Sequence, residues 1–369
     1  KPARLSSLFY LSGQYGLPSE GYGKMIRYFI FFGVLLISSL SVKSAPVKIV
    51  CSTDNPNGSI HVVALEKFGE LIAKYSNGRL IAEIHFRGNE EFPAIMGEEV
   101  NMNMMMTSHS GVHNRVHVTA IASGNASIKA SILEFLMLPY IFEDKKSAMK
   151  LFRSKFMMEE INEVLARKHN IRAIGWLIGG FRHMTNSKKP VQRLEDIQGL
   201  VIRTPRNRLM RDTYMTLGAE VIPLNWELTF EALKKGEIDG QENPYSVIAD
   251  SKFWDANQKY VTNNGPFLWV GPILMNEEFY QSLPDDLKNV VRKAGREASE
   301  YEWVWENNKS NEFKSILLNN NMKISDLEDK QRWVDATKPL WGKYYKFIGY
   351  GDDAKGKKIV EHVLIITNQ

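Results

Sequence analysis

The chain has 369 residues, of which 44% are hydrophobic and 24% charged, enough for two domains with cores of their own and ordinary for a globular protein. Of the formal charge of +5, residues 1 to 24 carry +2 (Lys1, Arg4 and Lys24 against Glu20) and residues 25 to 44 another +2 (Arg27 and Lys43), which leaves +1 for everything after Ser44. With no basic excess in the folded part, the charge points away from nucleic acid as a partner.

Residues 1 to 24 show neither an initiating methionine nor a periodic pattern and read as sequence upstream of the true start, translated ahead of it or added by cloning. Lys24-Met25-Ile26-Arg27 then precedes YFIFFGVLLISSLSV, an apolar run of 15 residues that ends in Val-Lys-Ser-Ala. A basic start, a run of that length and small closing residues predict a secretory signal over 25 to 44, cut after Ser44 or Ala45, since a membrane span needs about 18 or more apolar residues. An uncleaved anchor stays open as the alternative, because Lys43 sits close to the cut. The single cysteine, Cys51, can form no internal disulfide and lacks the small residues that precede a lipidation site.

A strand over Val47 to Ser52 should run into a turn at Asp54-Asn55-Pro56-Asn57-Gly58. Val62, Leu65, Phe68, Ile72 and Tyr75 mark one helical face that ends at Asn77-Gly78, and Leu80 to Phe86 is the next strand, so the chain opens β-α-β. His61, near that helix start, either caps it at the surface or faces a ligand. Glu91 to Thr107 reads as a methionine-rich helix, followed by a strand over His117 to Ala122 that leads into Ser123-Gly124-Asn125.

Helices are expected over Lys145 to Arg153 and Met157 to His169. Ile171 to Ile178 is a near-continuous apolar strand, the pattern of a parallel sheet covered on both faces. Gly179-Gly180 behind it gives the backbone freedom of a hinge. The run Leu200-Val201-Ile202 places Arg203 at a strand's carboxyl end, where open α/β sheets keep their ligand crevice, and Pro205 stops the strand. A helix from Asn207 to Leu217 and a strand from Glu220 to Leu224 complete a βαβ crossover. Asn225 caps the next helix, with Glu227 and Glu231 early in it, Lys234 and Lys235 at its end and Gly236 behind. A helix over Tyr245 to Trp254, a strand near Lys259 to Val261 and a strand from Phe267 to Met275 follow. Pro284-Asp285-Asp286 then opens a long helix with the buried stripe Leu287, Val290, Ala294, Ala298, Tyr301 and Trp305.

The order VIRTP, LGA, a strand containing a proline, an aromatic-led EALKKG helix and IDGQENP (Ile238 to Pro244) resembles the periplasmic solute receptors of TRAP transporters, whose best-known members take up dicarboxylates. The resemblance implies an α/β, two-lobed clamshell of the periplasmic binding protein type, with a long helix spanning both lobes. Lobe 1 would comprise 46–179 and 267–310, lobe 2 would be 180–266, and helices over 311–369 would pack across them. It also implies a receptor, not an enzyme, that needs no cofactor, works as a monomer and hands a small organic acid to integral membrane permease subunits from the periplasm.

For the site, the resemblance assigns ligand contacts to Arg182 and Arg203, covers the ligand's carbon skeleton with Trp226, and draws first-lobe polar groups from Ser123 and Asn125. Leu228 stands where relatives carry a glutamate, and Pro266 where they often carry a histidine. The chemistry agrees at two positions: a guanidinium offers paired donors that fit a carboxylate or sulfonate, and Asn243 can donate and accept. A rival reading joins His109, His113 and His117 at helical spacing into a metal site, in an exported metal-binding protein or metallohydrolase. Ser110, Gly111 and Asn114 between them favour a loop, and nucleophile and phosphate-loop motifs are absent from the sequence.

Overall fold

A computed structural model describes residues 45–87 and 116–367. The leader, the methionine-rich segment Glu91 to Thr107, His109 and His113 lie outside the described residues. The unit Pro46–Gln369 is organised on a nine-stranded sheet in which two long strands, β4 (Ile171–Asn186) and β8 (Tyr260–Asn276), run antiparallel side by side.

Two wings attach to this central pair. On the outer edge of β8, residues Ile273 to Met275 pair with β3 (Val118–Ala120), which leads to β1 (Val47–Pro56) and β2 (Leu80–Arg87). The end of β4, His183 to Asn186, pairs with β7 (Gly240–Asn243), followed by β5 (Val201–Thr204) and β6 (Glu220–Pro223). A short strand β9 (Lys323–Asp326) lies against the start of β8. The expectation of a parallel environment for Ile171 to Ile178 is corrected here: β4 is buried on both faces, but its strand partners are antiparallel. An apolar run reports burial and says nothing of strand direction. Gly179-Gly180 is a register break inside β4, since pairing skips from Ile178 to Phe181.

Helix α1 (Ile60–Tyr75), capped by the Ser59 hydroxyl, buries Leu65, Phe68 and Ile72 against β1 and β3 in the first wing's core. Cys51 is buried there too. The turn after β1 is shorter than expected, with Asp54 to Pro56 inside the strand. Ser123–Lys129 forms α2, and Ser131–Met137 a 3-10 helix buried in the largest apolar cluster. The predicted helices at 145 and 157 form as α3 (Lys145–Arg153) and as a π-turn (Phe156–Ile161) leading into α4 (Asn162–His169). In the second wing, α5 (Arg208–Thr216) joins β5 to β6, α6 (Trp226–Lys235) ends at Gly236 with φ of +73°, and α7 (Tyr245–Asp250) stops at a 3-10 turn (Phe253–Ala256).

After α8 (Glu277–Ser282), the long helix α9 (Asp285–Asn319) has 35 residues and spans about 50 Å at 1.5 Å per residue. Its first half, Leu287, Val291, Ala294 and Ala298, packs in the first wing's core; Phe313 and Leu317 pack in the second wing's. Residue 311, the expected start of a C-terminal block, therefore lies inside this helix. Tyr301, expected in the buried stripe, is 45% exposed. The buried face at that height is polar instead: Ser299, Glu302 and Glu306.

Two of them, Ser299 and Glu302, serve an unpaired edge. Because β7 meets β4 only from His183 onward, the preceding residues of that edge have no strand neighbour among the described residues. Side chains of α9 take the place of a strand: Ser299 Oγ accepts from the Trp176 N–H at 2.9 Å, Trp303 Nε1 donates to the Trp176 carbonyl at 2.7 Å, and Glu302 Oε2 accepts from the Ile178 N–H at 3.0 Å. Helix and strand come this close because both are glycine at the contact; a Cβ on Gly295 would sit 2.2 Å from the Ile174 carbonyl oxygen. The closing helices α10 (Lys330–Thr337), α11 (Leu340–Ile348) and α12 (Asp353–Thr367) seat Trp333, Trp341 and Tyr344 in the largest cluster. Trp341 Nε1 donates to the Pro139 carbonyl and the Tyr344 hydroxyl to Asp212, tying α11 to both wings.

Candidate functional site

A cleft of about 260 Å³ opens between the wings. The first wing contributes Asp54 and Asn55 from the end of β1, His61 from α1, and Asn125 from α2; the second contributes Arg203, Arg206, Trp226, Glu227 and Asn243; β4 and β8 supply Arg182 and Trp269. The wings meet beside it. Asn207 caps α5 by accepting from the Met210 N–H and reaches across to α2, donating to the Gly124 carbonyl at 3.1 Å and the Ser127 hydroxyl at 2.9 Å.

The two arginines are both buried, at 3% exposure for Arg203 and 6% for Arg182, yet their charges are handled differently. Arg182 is forked onto Glu242, Nε to Oε2 at 2.5 Å and Nη2 to Oε1 at 2.8 Å, with a further bond from Nη2 to the Glu242 carbonyl. Such a bidentate pair fixes the guanidinium and cancels its charge locally. Arg203 instead donates Nε and Nη2 to one neutral acceptor, the Leu224 carbonyl, at 2.9 and 2.6 Å. Burial pushes its pKa down to about 10, with relief only at longer range from Glu242 and Glu227. At neutral pH it remains a cation held in low dielectric without an adjacent counter-charge among the described residues, which is the electrostatic description of an anion site.

Trp226 stands at the start of α6 with its ring 5.7 Å from the Arg203 guanidinium and edge-on to Phe253. The strand–helix turn that places it is capped differently from expectation. Asn225 holds the cap position, but its side chain bonds Glu227 rather than the helix backbone. Asn243 ends β7 and donates to Gln241, which in turn donates to Thr185. His61 does not lie at the surface. It is buried edge-on against Trp269 with ring centroids 5.0 Å apart, and burial lowers its pKa to about 3, so it enters the wall as a neutral imidazole.

Six of the seven expected site residues thus line one cleft: Arg203, Arg182, Asn243, Trp226, Asn125 and His61. Ser123 does not; it is fully buried at the start of α2, with no hydrogen-bond partner for its hydroxyl among the described residues. No helix is expected there from the sequence, and it is the first turn of α2 that carries Ser123 into the interior. Asp54, Asn55, Arg206, Glu227 and Trp269 were not anticipated. The polar pair Asp54-Asn55 reads as turn chemistry, yet the strand extends through it and carries both to the cleft. Of the histidine trio only His117 is described, and it supports the fold. Its Nδ1 accepts from the Val50 N–H at 3.0 Å, and the ring stacks on Phe279 at 4.0 Å. Among the described residues no group of three or more His, Cys, Asp or Glu could hold a metal ion.

Residues 51–347 match the family described as bacterial extracellular solute-binding protein, family 7. The chain belongs to that family. A solute-binding protein of Verminephrobacter eiseniae is 28% identical over 287 residues, covering 78% of this chain and 82% of the relative. A TRAP periplasmic solute-binding protein of Rhodobacter sphaeroides, solved in an open form without ligand, superimposes with a TM-score of 0.73 at 28% identity over 86% of this chain and 99% of that one. The same fold is seen in a sugar-acid-binding protein of Advenella mimigardefordensis solved with galactonate, at a TM-score of 0.76, 23% identity and coverage of 88% and 98%. This family 7 member is thus a two-lobed receptor of the TRAP type, and the family's members bind solutes in the periplasm and are not enzymes. Among the described residues no helix is long and apolar enough to cross a membrane.

Proposed function

We propose that the chain is the extracytoplasmic receptor of a TRAP transporter, that it closes on a small organic anion, and that it passes this anion to a membrane permease. Residues 25 to 44 would direct export and be removed. The lobes would be 46–179 with 267–310, and 180–266, exchanging chain at Gly179-Gly180 in β4 and near Gly265 in β8.

The observation that carries this reading is Arg203, buried and charged, with a neutral carbonyl as its hydrogen-bond partner. A carboxylate or sulfonate on its remaining donors would supply the missing counter-charge. Trp226 covers an apolar or ring surface of the bound acid, and Asp54, Asn55, Asn125 and Asn243 suit hydroxyl groups further along it. Galactonate in the Advenella relative has both features, an acid group and a hydroxylated body.

A thermal-shift panel of galactonate, glucuronate, succinate and isethionate tests this. At a hundred times its dissociation constant, an acid that binds adds about 2.7 kcal/mol of stability. A flat response across these and further organic acids would remove the basis for the proposal.

A further inference from the structure

Behind the cleft, on the opposite face of β4, lies a second crevice of about 240 Å³ that no ligand chemistry explains. It is bordered by Gly180 and Gly265, where the two long strands pass between the wings, and by Glu306 of α9. Glu306 is 2% exposed. Its Oε1 lies 3.7 Å from Lys145 Nζ, and its Oε2 has no hydrogen-bond partner among the described residues.

The position of Glu306 follows from the helix that carries it. Ser299 bonds Trp176 and Glu302 bonds Ile178, so the α9 side chains climb the free edge of β4 two strand residues at a time. The next step pairs Glu306 with Gly180. A Cβ on Gly180 would lie 3.4 Å from Glu306 Oε1, yet no bond between the two residues forms in this conformation, in which Asn207 holds the wings in contact. We infer that Glu306 is a positioning residue of the hinge that couples closure of the cleft to uptake of a proton, an inference that rests on the receptor reading above.

The argument is one of direction. With Oε2 buried and unbonded, a hinge movement that opens this crevice would give it water or the Gly180 N–H, and either favours the ionised carboxylate. The conformation with the wings together therefore has the higher proton affinity, and burial indeed raises the Glu306 pKa to about 7, against the opposing pull of Lys145. The groups facing it are Lys145 on α3, Asp250 on α7 and Glu302 on its own helix, with Glu143, His183, Tyr245 and Lys330 around the same crevice. His183 is held neutral by burial, and Asp250 is raised only to about 6. Glu134, near the contact between the wings, is also raised to about 7 and must be separated by mutation.

The test is the pH profile of affinity for the panel acid that gives the largest thermal shift, measured by calorimetry on wild type, Glu306→Gln and Glu134→Gln. Wild type should bind roughly fivefold to tenfold more weakly at pH 8 than at pH 6 and take up protons near pH 7, seen as buffer-dependent heats. Glu306→Gln should bind at pH 8 as wild type binds at pH 6, with a flat profile, while Glu134→Gln keeps the slope. Binding without proton uptake in wild type, or a wild-type slope in Glu306→Gln, overturns this inference and leaves the receptor reading standing. Failure of every acid to bind overturns that reading and this one with it.

Discussion

The two faces of β4 carry buried charge in opposite ways. Towards the cleft, Arg182 is neutralised by a forked bond to Glu242, and β5, on the far side of β7, presents Arg203 as a cation without such a partner among the described residues. Towards α9, Glu302 and Glu306 meet no arginine among the described residues; Glu302 takes one backbone N–H and burial raises its pKa well above the ordinary carboxylate value, while Glu306, with only Lys145 at 3.7 Å, is raised to about 7. The contrast separates two uses of a buried ionisable group. A fully paired one fixes a wall, whereas an incompletely paired one leaves free energy for a ligand or a proton to release.

Breaking the paired side should cost most. Arg182→Ala leaves the Glu242 carboxylate buried without its partner, and chemical denaturation should show a loss of about 3–5 kcal/mol. The unpaired side should respond in the reverse sense. Arg203→Ala removes a cation that burial disfavours, so folding stability should change by less than about 1 kcal/mol, while calorimetry with the best panel acid should show about 2–5 kcal/mol of binding lost. Equal stability losses in the two variants would erase the distinction between the arginines.

The carboxylate face is sharpened by pH. The folded pKa of Glu306, about 7, lies above its ordinary value of 4.5. The folded protein therefore binds the extra proton between those values, and this contribution to stability is full below about pH 4.5 and lost as pH rises through about 7. Glu306→Gln should thus be more stable than wild type by ~1–3 kcal/mol at pH 8, with the difference fading towards pH 5 in urea titrations. The smallest effect is expected from Trp226→Ala, which removes the ring beside Arg203 and should weaken acid binding by about 1 kcal/mol.

The second wing was the more legible in the sequence. From Leu200 to Gly236 strand runs, a crossover helix, charged helix ends and a left-handed glycine agree with one another, and the structure places β5, α5, β6 and α6 accordingly, while β7 was not anticipated. Arg203 closes an apolar strand, a place where a surface ion pair is the commoner outcome, and it was the resemblance of the surrounding motifs that singled it out. Its counter-example, Glu242, was just as visible in Gly240–Asn243 but gave no sign of facing Arg182, since a cross-strand pair depends on register and β4 is about sixty residues distant.

The first wing hid more. Asp54 and Asn55 look like a turn, and only the pairing of β1 with β2 extends the strand through them. His61 and Ser123 differ in accessibility through the packing of whole helices, which local pattern does not encode. On α9 a hydrophobic stripe predicted Tyr301 as core, whereas the buried positions at that height are hydrogen-bonding groups serving β4. Apolar periodicity finds the faces that exclude water and misses a face buried in order to bond.

That arrangement on α9 also bears on aggregation. An edge of backbone without a neighbouring strand is a template on which other chains aggregate, and globular proteins usually guard it with lysine, proline or a bulge. Here a helix from later in the chain supplies the guard, with Ser299, Glu302 and Trp303 occupying donors and an acceptor that a foreign strand would seek. Newly made chains keep that edge bare until residue 303 has been synthesised and docked, so self-association during biogenesis should be set by the arrival of α9 rather than by the folding of either wing.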